Sequence, residues 1–243
     1  MMQAMIFAAG LGTRLKPITD TMPKALVEVG GMPLLKRVVL KLKDAGFTRV
    51  VVNVHHFSQQ IKDYLTANQS FGLDVRVSDE SERLLDTGGG IRKAADLFDA
   101  GSPILIHNVD ILSNVDLRKF YVGTDFADAR LLVSARETQR YLLFDTDWRL
   151  SGWTNTETGE MKSPYEDLNP KDCMPYAFSG IHTISPRIFS QMDAFPEKFG
   201  IMDFYLSVCK KLLIKGWVKD DLKLMDAGKA DTLKDAGEFL EGL

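Results

Sequence analysis

Hydrophobic residues form short continuous runs in the first half of the chain, and each run ends at glycine or polar residues. Residues 4–8, 49–53 and 104–106 are runs of this kind, and they are typical of parallel strands buried on both faces. Between the first two, apolar positions over 34–42 recur at helical spacing. The alternation predicts an α/β fold, with a mainly parallel sheet and helices on both faces.

The pattern changes beyond residue 125. The apolar runs at 131–135, 141–144 and 177–184 predict strands with fewer helices between them. The end of the chain predicts a helix over 202–214, a strand over 222–225 and a helix over 232–240. Earlier in the chain, Ser58 is predicted to cap a short helix. We expect one domain over residues 1–243, because no linker separates the two halves.

Composition narrows the classes of function. The 243 residues include 30 basic and 33 acidic side chains, a net charge of −3, which argues against a nucleic-acid partner. The two cysteines form no C-x-x-C pair and the four histidines no H-E-x-x-H, so no structural zinc site is expected. The first apolar run lacks a basic start and is too short to span a membrane. We therefore expect a cytoplasmic protein without a membrane partner.

The stretch after the first predicted strand combines glycines with basic residues. Residues 8–17 read Ala-Ala-Gly-Leu-Gly-Thr-Arg-Leu-Lys-Pro, and a Pro-Lys pair ending at Lys24 follows. Open α/β sheets bind ligands where strands end. Gly10 and Gly12 let backbone N–H groups approach an anion, and Arg14 and Lys24 supply cations for phosphate oxygens. The pattern therefore indicates a triphosphate site.

Two other glycine-rich loops do not fit this stretch. A dinucleotide-binding fingerprint requires a third glycine where Leu15 stands. A P-loop requires Gly-Lys-Ser/Thr after four intervening residues, and the stretch contains no such run.

The stretch instead resembles the signature of the nucleoside-diphospho-sugar pyrophosphorylases, G-x-G-T/S-R-L-x-P-x-T followed by P-K. Positions 10–17, Thr19, Pro23 and Lys24 match it without a gap. The resemblance implies a Rossmann-like, GT-A-like nucleotidyltransferase fold, with a nucleotide-binding half over 1–125 and a sugar-binding half over 126–243. It assigns nucleotide binding to Ala8, Ala9, Gly10, Gly12, Thr13, Arg14 and Lys24, and catalytic roles to Arg14, Lys24 and Asp110.

Two aspartates are candidate ligands for Mg²⁺. Asp110 follows the strand at 104–106, and a carboxylate at such a strand end can hold a hard cation that bridges phosphates. Its segment resembles the family's N-G-D, with Val109 in place of the glycine. Asp226 and Gly228 resemble the aspartate and glycine of the family's second metal segment, with Lys229 in place of a threonine. The resemblance implies that Asp110 and Asp226 share one Mg²⁺.

A second glycine-rich segment resembles the family's L-G-T-A-G loop beneath the base and ribose. It reads Leu-Asp-Thr-Gly-Gly-Gly over residues 85–90, and the resemblance adds Thr87, Gly88 and Gly89 to the nucleotide-binding set. The preceding acids at positions 79, 80 and 82 could accept hydrogen bonds from guanine, whereas uracil would use backbone groups. The base is left open, with UTP and GTP favoured.

The sugar site has a weaker signal. Lys162 is the nearest equivalent of the family's sugar-phosphate lysine, Gly180 resembles a contact that lines the sugar pocket, and Asp203 is placed to meet sugar hydroxyls. The implied reaction joins a nucleoside triphosphate to a sugar 1-phosphate, for cell-envelope polysaccharide precursors. A cytidylyltransferase acting on choline phosphate or another alcohol phosphate, and a non-catalytic nucleotide-sugar sensor, are the alternatives. The sequence also allows a homo-oligomer.

Overall fold

The computed structural model describes residues 1–123 and 127–243. The described strands are β1 Gln3–Phe7, β2 Glu28–Val29, β3 Met32–Pro33, β4 Arg49–Val54, β5 Asp74–Asp79, β6 Ile104–Asn108, β7 Ile111–Ser113, β8 Ala129–Ser134, β9 Arg140–Phe144, β10 Leu150–Asn155, β11 Met161–Lys162, β12 Met174–Ile184, β13 Ile214–Val218 and β14 Leu224–Asp226. The described α-helices are α1 Leu34–Asp44, α2 Ser58–Ala67, α3 Asp86–Lys93, α4 Leu117–Tyr121, α5 Phe189–Met192, α6 Ile201–Val208 and α7 Ala230–Glu241. The predicted boundary between halves, at residues 125 and 126, lies outside the described residues.

One large mixed sheet forms the centre of the molecule. Its strand order is β11-β10-β9-β12-β6-β1-β4-β5, and β8 joins β12 and β13 beside this path. The central strands β6, β1, β4 and β5 run parallel, whereas β12 runs antiparallel to β6, β8 and β9. The predicted α/β fold is confirmed. Its second half is mainly antiparallel, with hairpins between β9, β10 and β11, and only the pair of β8 with β13 among the described strands of that half runs parallel.

The sheet separates two hydrophobic cores. Successive side chains of a strand point to opposite faces, so Ala4 and Ile6 of β1 join one core and Met5 joins the other. Helices α1, α2 and α7 pack on the first face, and α3, α5 and α6 pack on the second. The predicted placement of helices on both faces is therefore confirmed. Among the described residues, no helix combines the length and apolar character needed to cross a membrane.

The predicted helix over 202–214 is too long. Helix α6 ends at Val208, and Ile214 begins β13, which pairs in parallel with β8 through Ile214 and Ala129. The apolar run that includes Leu212 continues the helical pattern, but a short apolar run is also typical of a buried strand. Pairing with β8 makes Ile214 part of a strand, and the hydrophobic pattern of the sequence does not show which strands pair.

Ser58 is not the cap of its helix. It is the first helical residue of α2, and Phe57 before it occupies the N-cap position with a left-handed φ of 54°. The Ser58 hydroxyl instead accepts a hydrogen bond from Ser81 Oγ at 2.9 Å. The side chain therefore ties α2 to the loop after β5 rather than to its own backbone amides.

Gly237→Ala should stabilise the protein by about 0.5 to 1 kcal/mol, because glycine in a helix interior costs that much relative to alanine. Gly237 lies within α7, and a Cβ at this position would meet no atom within 4 Å. Urea unfolding followed by circular dichroism measures the difference. An unchanged or lower unfolding midpoint would contradict the open environment of this residue.

Candidate active site

The segment after β1 folds back over its second glycine. Gly12 has a left-handed φ of 65°, and a Cβ there would lie 2.8 Å from Thr19 Cγ2 and 3.1 Å from Lys24 Cβ. Thr19 Oγ1 donates to the carbonyl oxygen of Gly12 at 2.8 Å, and Leu15 anchors the loop as a fully buried side chain. Glycine is therefore required at position 12, and the fold places Lys24 against the first turn of the loop.

A buried polar network connects this loop to the neighbouring strands. Asn53, at the end of β4, accepts from the backbone N–H groups of Ala8 at 2.8 Å and Ala9 at 3.3 Å. Its Nδ2 donates to Glu80 Oε1 at 2.8 Å, and Glu80 Oε2 accepts from Leu85 N at 3.1 Å. Because Glu80 is fully buried, this network fixes the starts of both glycine-rich segments relative to each other.

The three acids considered for base recognition have different surroundings. Glu80 is committed to the buried network, because both of its oxygens accept hydrogen bonds inside the protein. Hydrogen bonds from Lys62 and then Ser81 hold the pKa of Asp79 well below its usual range. Glu82 is exposed. The network therefore gives Glu80 a positioning role that its sequence context did not indicate.

Asn53→Ala should lower the free energy of unfolding by about 3 kcal/mol, because it leaves one oxygen of the buried Glu80 carboxylate and two loop amides without a partner. Urea unfolding measures the loss. The control Gln59→Ala removes an exposed amide from α2, with an expected change within about 0.5 kcal/mol. If Asn53→Ala behaved like this control, the network would not hold the loop.

Two cations and two carboxylates meet at the ends of the central strands. Lys24 Nζ lies 2.5 Å from Asp110 Oδ2, and these side chains are 15% and 9% exposed. Arg14 Nη1 lies 3.5 Å from Asp226 Oδ2, in a more exposed pair. Strands β7 and β14 pair antiparallel with Asp226 opposite Ile111. This pairing brings together the two aspartates, which are far apart in the sequence.

Gly228 leaves the space beside these carboxylates open. A Cβ at this position would collide with Asp110 Oδ2 and would lie 2.8 Å from Asp226 Oδ1. The backbone N–H of Gly228 donates to the same Asp226 oxygen at 2.8 Å, which orients the carboxylate. Mg²⁺ is commonly bound by one or two carboxylates together with phosphate oxygens and water. The residues present therefore fit a magnesium ion.

A cavity of about 400 Å³ lies between the loop, Asp110 and the start of α3. Its walls are formed by Phe7, Ala9, Gly10, Arg14, Lys24, Asn53, Glu80, Leu84, Asp86, Thr87, Asn108, Asp110 and Lys198. Four of these residues, Asn53, Asp86, Asn108 and Lys198, are not among the site residues predicted from the sequence. An amide inside the β-branched strand at 49–54 is a signal that could have indicated Asn53. Lys198 had no comparable signal, since the loop before α6 reaches this cavity only in the folded chain.

The glycines of the second glycine-rich segment serve packing. Gly88 N and Gly89 N both donate to the carbonyl oxygen of Phe199, at 2.9 and 3.2 Å, and a Cβ at Gly88 would collide with the Phe199 ring. Thr87 Oγ1 accepts from Ile201 N at 2.9 Å, which satisfies the first turn of α6. These contacts join α3 to α6, and the proposed role of the three residues in nucleotide binding stays a prediction.

The predicted sugar-site residues divide between two places. Lys162 and Asp203 line a second cavity, of about 390 Å³, and Lys162 Nζ lies 3.4 Å from Asp203 Oδ1. Lys162 also lies 5.4 Å from the centre of the Trp153 ring. Gly180 lies apart from them, with a φ of 76° and a position beside Asn108. The structure therefore joins two of the three residues and places Gly180 near the first cavity.

Comparison with known proteins identifies the family to which the chain belongs. The nucleotidyl transferase family model matches residues 3–139, which include the loop, Asp110 and the segment at 85–90. The chain therefore belongs to the nucleotidyl transferase family.

The chain is also similar in sequence to curated enzymes. The chain is 43% identical over 115 residues to the N-acetylmuramate alpha-1-phosphate uridylyltransferase of Neisseria meningitidis, a match that covers 47% of this chain and 49% of that protein. It thus spans about half the length of that relative. It is 26% identical over 220 residues to the D-glycero-alpha-D-manno-heptose 1-phosphate guanylyltransferase of Campylobacter jejuni, with 90% and 92% of the two chains covered.

Solved structures agree with the fold over the whole chain. HddC from Yersinia pseudotuberculosis is 25% identical, with a TM-score of 0.75 and coverage of 99% of this chain and 100% of that one. A putative glucose-1-phosphate thymidylyltransferase from Bacillus anthracis has a TM-score of 0.82 at 18% identity, with 100% and 96% covered. The second likeness is one of fold alone, and it extends through residues 140–243, which the family model does not match.

Proposed function

We propose that this protein transfers a nucleotidyl group from UTP or GTP to a sugar 1-phosphate, with Mg²⁺, and releases pyrophosphate and a nucleotide-sugar. The observation that carries this proposal is the meeting of Lys24 with Asp110 and of Arg14 with Asp226 around the space beside Gly228. Such a site supplies cations for phosphates and carboxylates for a metal within one cleft. The names of the curated relatives support the uridylyl and guanylyl options.

The chemistry requires little from a general base. The second pKa of a phosphate monoester is about 6, so the sugar phosphate is largely ionised at neutral pH. One of its oxygens forms a bond to the α-phosphorus of the nucleotide, and the bond from that phosphorus to the bridging oxygen of pyrophosphate breaks. No covalent enzyme intermediate is needed. Catalysis then depends on alignment and on stabilising the charge of the phosphates.

Each charged side chain has a role in this scheme. Arg14 and Lys24 leave their carboxylate partners and bind the departing phosphates, which offer them a higher negative charge. Asp110 and Asp226 hold Mg²⁺, which neutralises charge on the phosphate oxygens when it is bound. Asn53 acts through the loop, since it orients the amides of Ala8 and Ala9 at the start of the loop. A nucleotide-sugar made in this way would serve cell-envelope polysaccharide synthesis.

The test is pyrophosphate release by purified protein with Mg²⁺. UTP, GTP, CTP and dTTP are each combined with a panel of sugar 1-phosphates and with choline phosphate. We expect turnover with UTP or GTP and one sugar 1-phosphate. Turnover only with CTP and choline phosphate would favour the cytidylyltransferase, whereas nucleotide-sugar binding without turnover would favour the sensor.

A further inference from the structure

We propose that the acceptor sugar 1-phosphate carries a second anionic group, a carboxylate or another phosphate, and that Arg136 and Arg140 bind it. The proposal rests on the function proposed above, and it concerns the second cavity, of about 390 Å³. It makes these arginines determinants of sugar specificity.

The charges that line the second cavity are unbalanced. Three cations, Arg136, Arg140 and Lys162, face one carboxylate, that of Asp203. Lys162 already has two acidic neighbours, with Nζ at 3.4 Å from Asp203 and 3.7 Å from Glu160. Among the described residues, neither arginine forms an ion pair. The cavity therefore has positive charge available after its own carboxylate is matched.

The structure around the two arginines places them at the cavity, through a side-chain contact for Arg136 and through the backbone for Arg140. Arg136 Nη2 donates to the carbonyl oxygen of Phe178 at 3.0 Å, which fixes one edge of its guanidinium against β12. The turn that leads to Arg140 is ordered by Thr138 N, which donates to Tyr141 Oη at 3.1 Å. Arg140 then begins β9. Both guanidinium groups thus project from a structured segment.

The other walls suit a sugar ring. Trp153 and Phe178 contribute aromatic surface, and the buried Leu142 contributes aliphatic surface. Such a pocket, mostly apolar with a few placed polar groups, is typical of small-molecule sites. Hydroxyl groups of a neutral sugar would be matched by acceptors, and within the described part of the chain Asp203 is the one acidic side chain in the lining.

The chemistry of the arginines is the reason to expect a second anionic group on the sugar. Lys162 is the residue assigned by resemblance to the sugar 1-phosphate, so that phosphate does not require either arginine. Guanidinium groups match carboxylate and phosphate oxygens through paired hydrogen bonds. Both arginine side chains are exposed and, among the described residues, neither has a carboxylate as an ion-pair partner. An anionic substituent on the sugar would supply that partner to both groups.

Matched substrate pairs test the proposal. Glucuronic acid 1-phosphate is compared with glucose 1-phosphate, N-acetylmuramic acid 1-phosphate with N-acetylglucosamine 1-phosphate, and glucose 1,6-bisphosphate with glucose 1-phosphate. We expect an acidic sugar to exceed its neutral partner in kcat/KM by about tenfold or more, as for charged hydrogen bonds. The first two pairs report a carboxylate and the third a phosphate. Neutral sugars that equal or exceed every acidic partner would overturn the proposal.

Variants assign the preference to particular side chains. Arg140→Gln and Arg136→Gln should each reduce kcat/KM for the acidic sugar by about tenfold and leave the neutral partner nearly unchanged. Arg149→Gln, an exposed arginine outside the cavity lining, should change neither. An equal loss for both members of a pair would mean that the arginines act on the fold or on the shared 1-phosphate, which contradicts the proposal.

Measurements of sugar binding distinguish failure of the proposed function from failure of the anionic subsite. If no sugar releases pyrophosphate with any nucleotide, the transferase proposal fails. The sugar preference is then decided by calorimetry of each pair with Mg²⁺ and a non-hydrolysable UTP analogue. Tighter binding of an acidic sugar, lost in Arg140→Gln, supports the anionic subsite, and equal affinities within every pair exclude it.

Discussion

Asp110→Asn should lower kcat/KM for pyrophosphate release by about a thousandfold or more, because a metal and its charge stabilisation contribute several kcal/mol to such reactions. Asp110 is 9% exposed and lies between β6 and β7, with its Oδ2 against Gly228. The substitution keeps the size of the side chain and removes its charge. Steady-state rates with saturating Mg²⁺ measure the effect.

The effect on the metal is separable from the effect on Lys24. Removal of the carboxylate also leaves the Lys24 ammonium without its partner at 2.5 Å. Binding of Mn²⁺ in the presence of a non-hydrolysable UTP analogue, followed by electron paramagnetic resonance, should therefore accompany the kinetics. We expect Asp110→Asn to weaken Mn²⁺ binding as well as turnover. If Mn²⁺ binding stayed normal while turnover was lost, the role of Asp110 would be to position Lys24 rather than to bind the metal.

The control for this variant removes a carboxylate of a different kind. Asp221 is 83% exposed and pairs with Lys219, away from both cavities. Asp221→Asn should retain turnover within a factor of about two, since exposed ion pairs contribute little. If Asp110→Asn kept activity within tenfold of the wild-type protein, the assignment of Asp110 to the catalytic metal would be wrong.

The first half of the fold could be predicted because its information is local. Continuous apolar runs require burial on both faces, and the glycines and cations at 8–17 follow directly after such a run. The loop with Arg14 and the segment with Asp110 each follow a predicted strand, and ligands bind where the strands of an open α/β sheet end. The roles of Arg14, Lys24 and Asp110 were implied by the resemblance. The structure brings these three together in one cleft.

Other parts of the site depend on partners distant in the sequence. Asn53 and Glu80 are an amide and a carboxylate in ordinary strand and loop contexts, and their roles exist only through hydrogen bonds across 27 and 45 positions. The second cavity likewise combines residues of β9, β10, β11, β12 and α6. Its arginines stand at 136 and 140, between the apolar runs at 131–135 and 141–144 that predict strands. Register and packing, rather than residue type, define this part of the site.

Gly228→Ala should reduce kcat/KM by about a hundredfold, the loss expected when a catalytic group is displaced by about 1 Å. The added methyl group would collide with Asp110 Oδ2 and would lie 2.8 Å from Asp226 Oδ1 and 3.2 Å from Arg14 Nη2. Gly228 does not have a left-handed φ, so alanine fits its backbone and the effect comes from the Cβ alone. Pyrophosphate release and Mn²⁺ binding measure it.

Gly237→Ala makes the same chemical change nine positions further on, where a Cβ meets nothing within 4 Å, and it should leave turnover unchanged. Comparison of the two variants therefore distinguishes the effect of filling the space beside the carboxylates from any general effect of replacing a glycine. Should Gly228→Ala retain activity within threefold of the wild-type protein, the space would not be the metal site. A loss of both turnover and Mn²⁺ binding would instead place the metal between Asp110 and Asp226, where Arg14 and Lys24 can reach the phosphates that it neutralises.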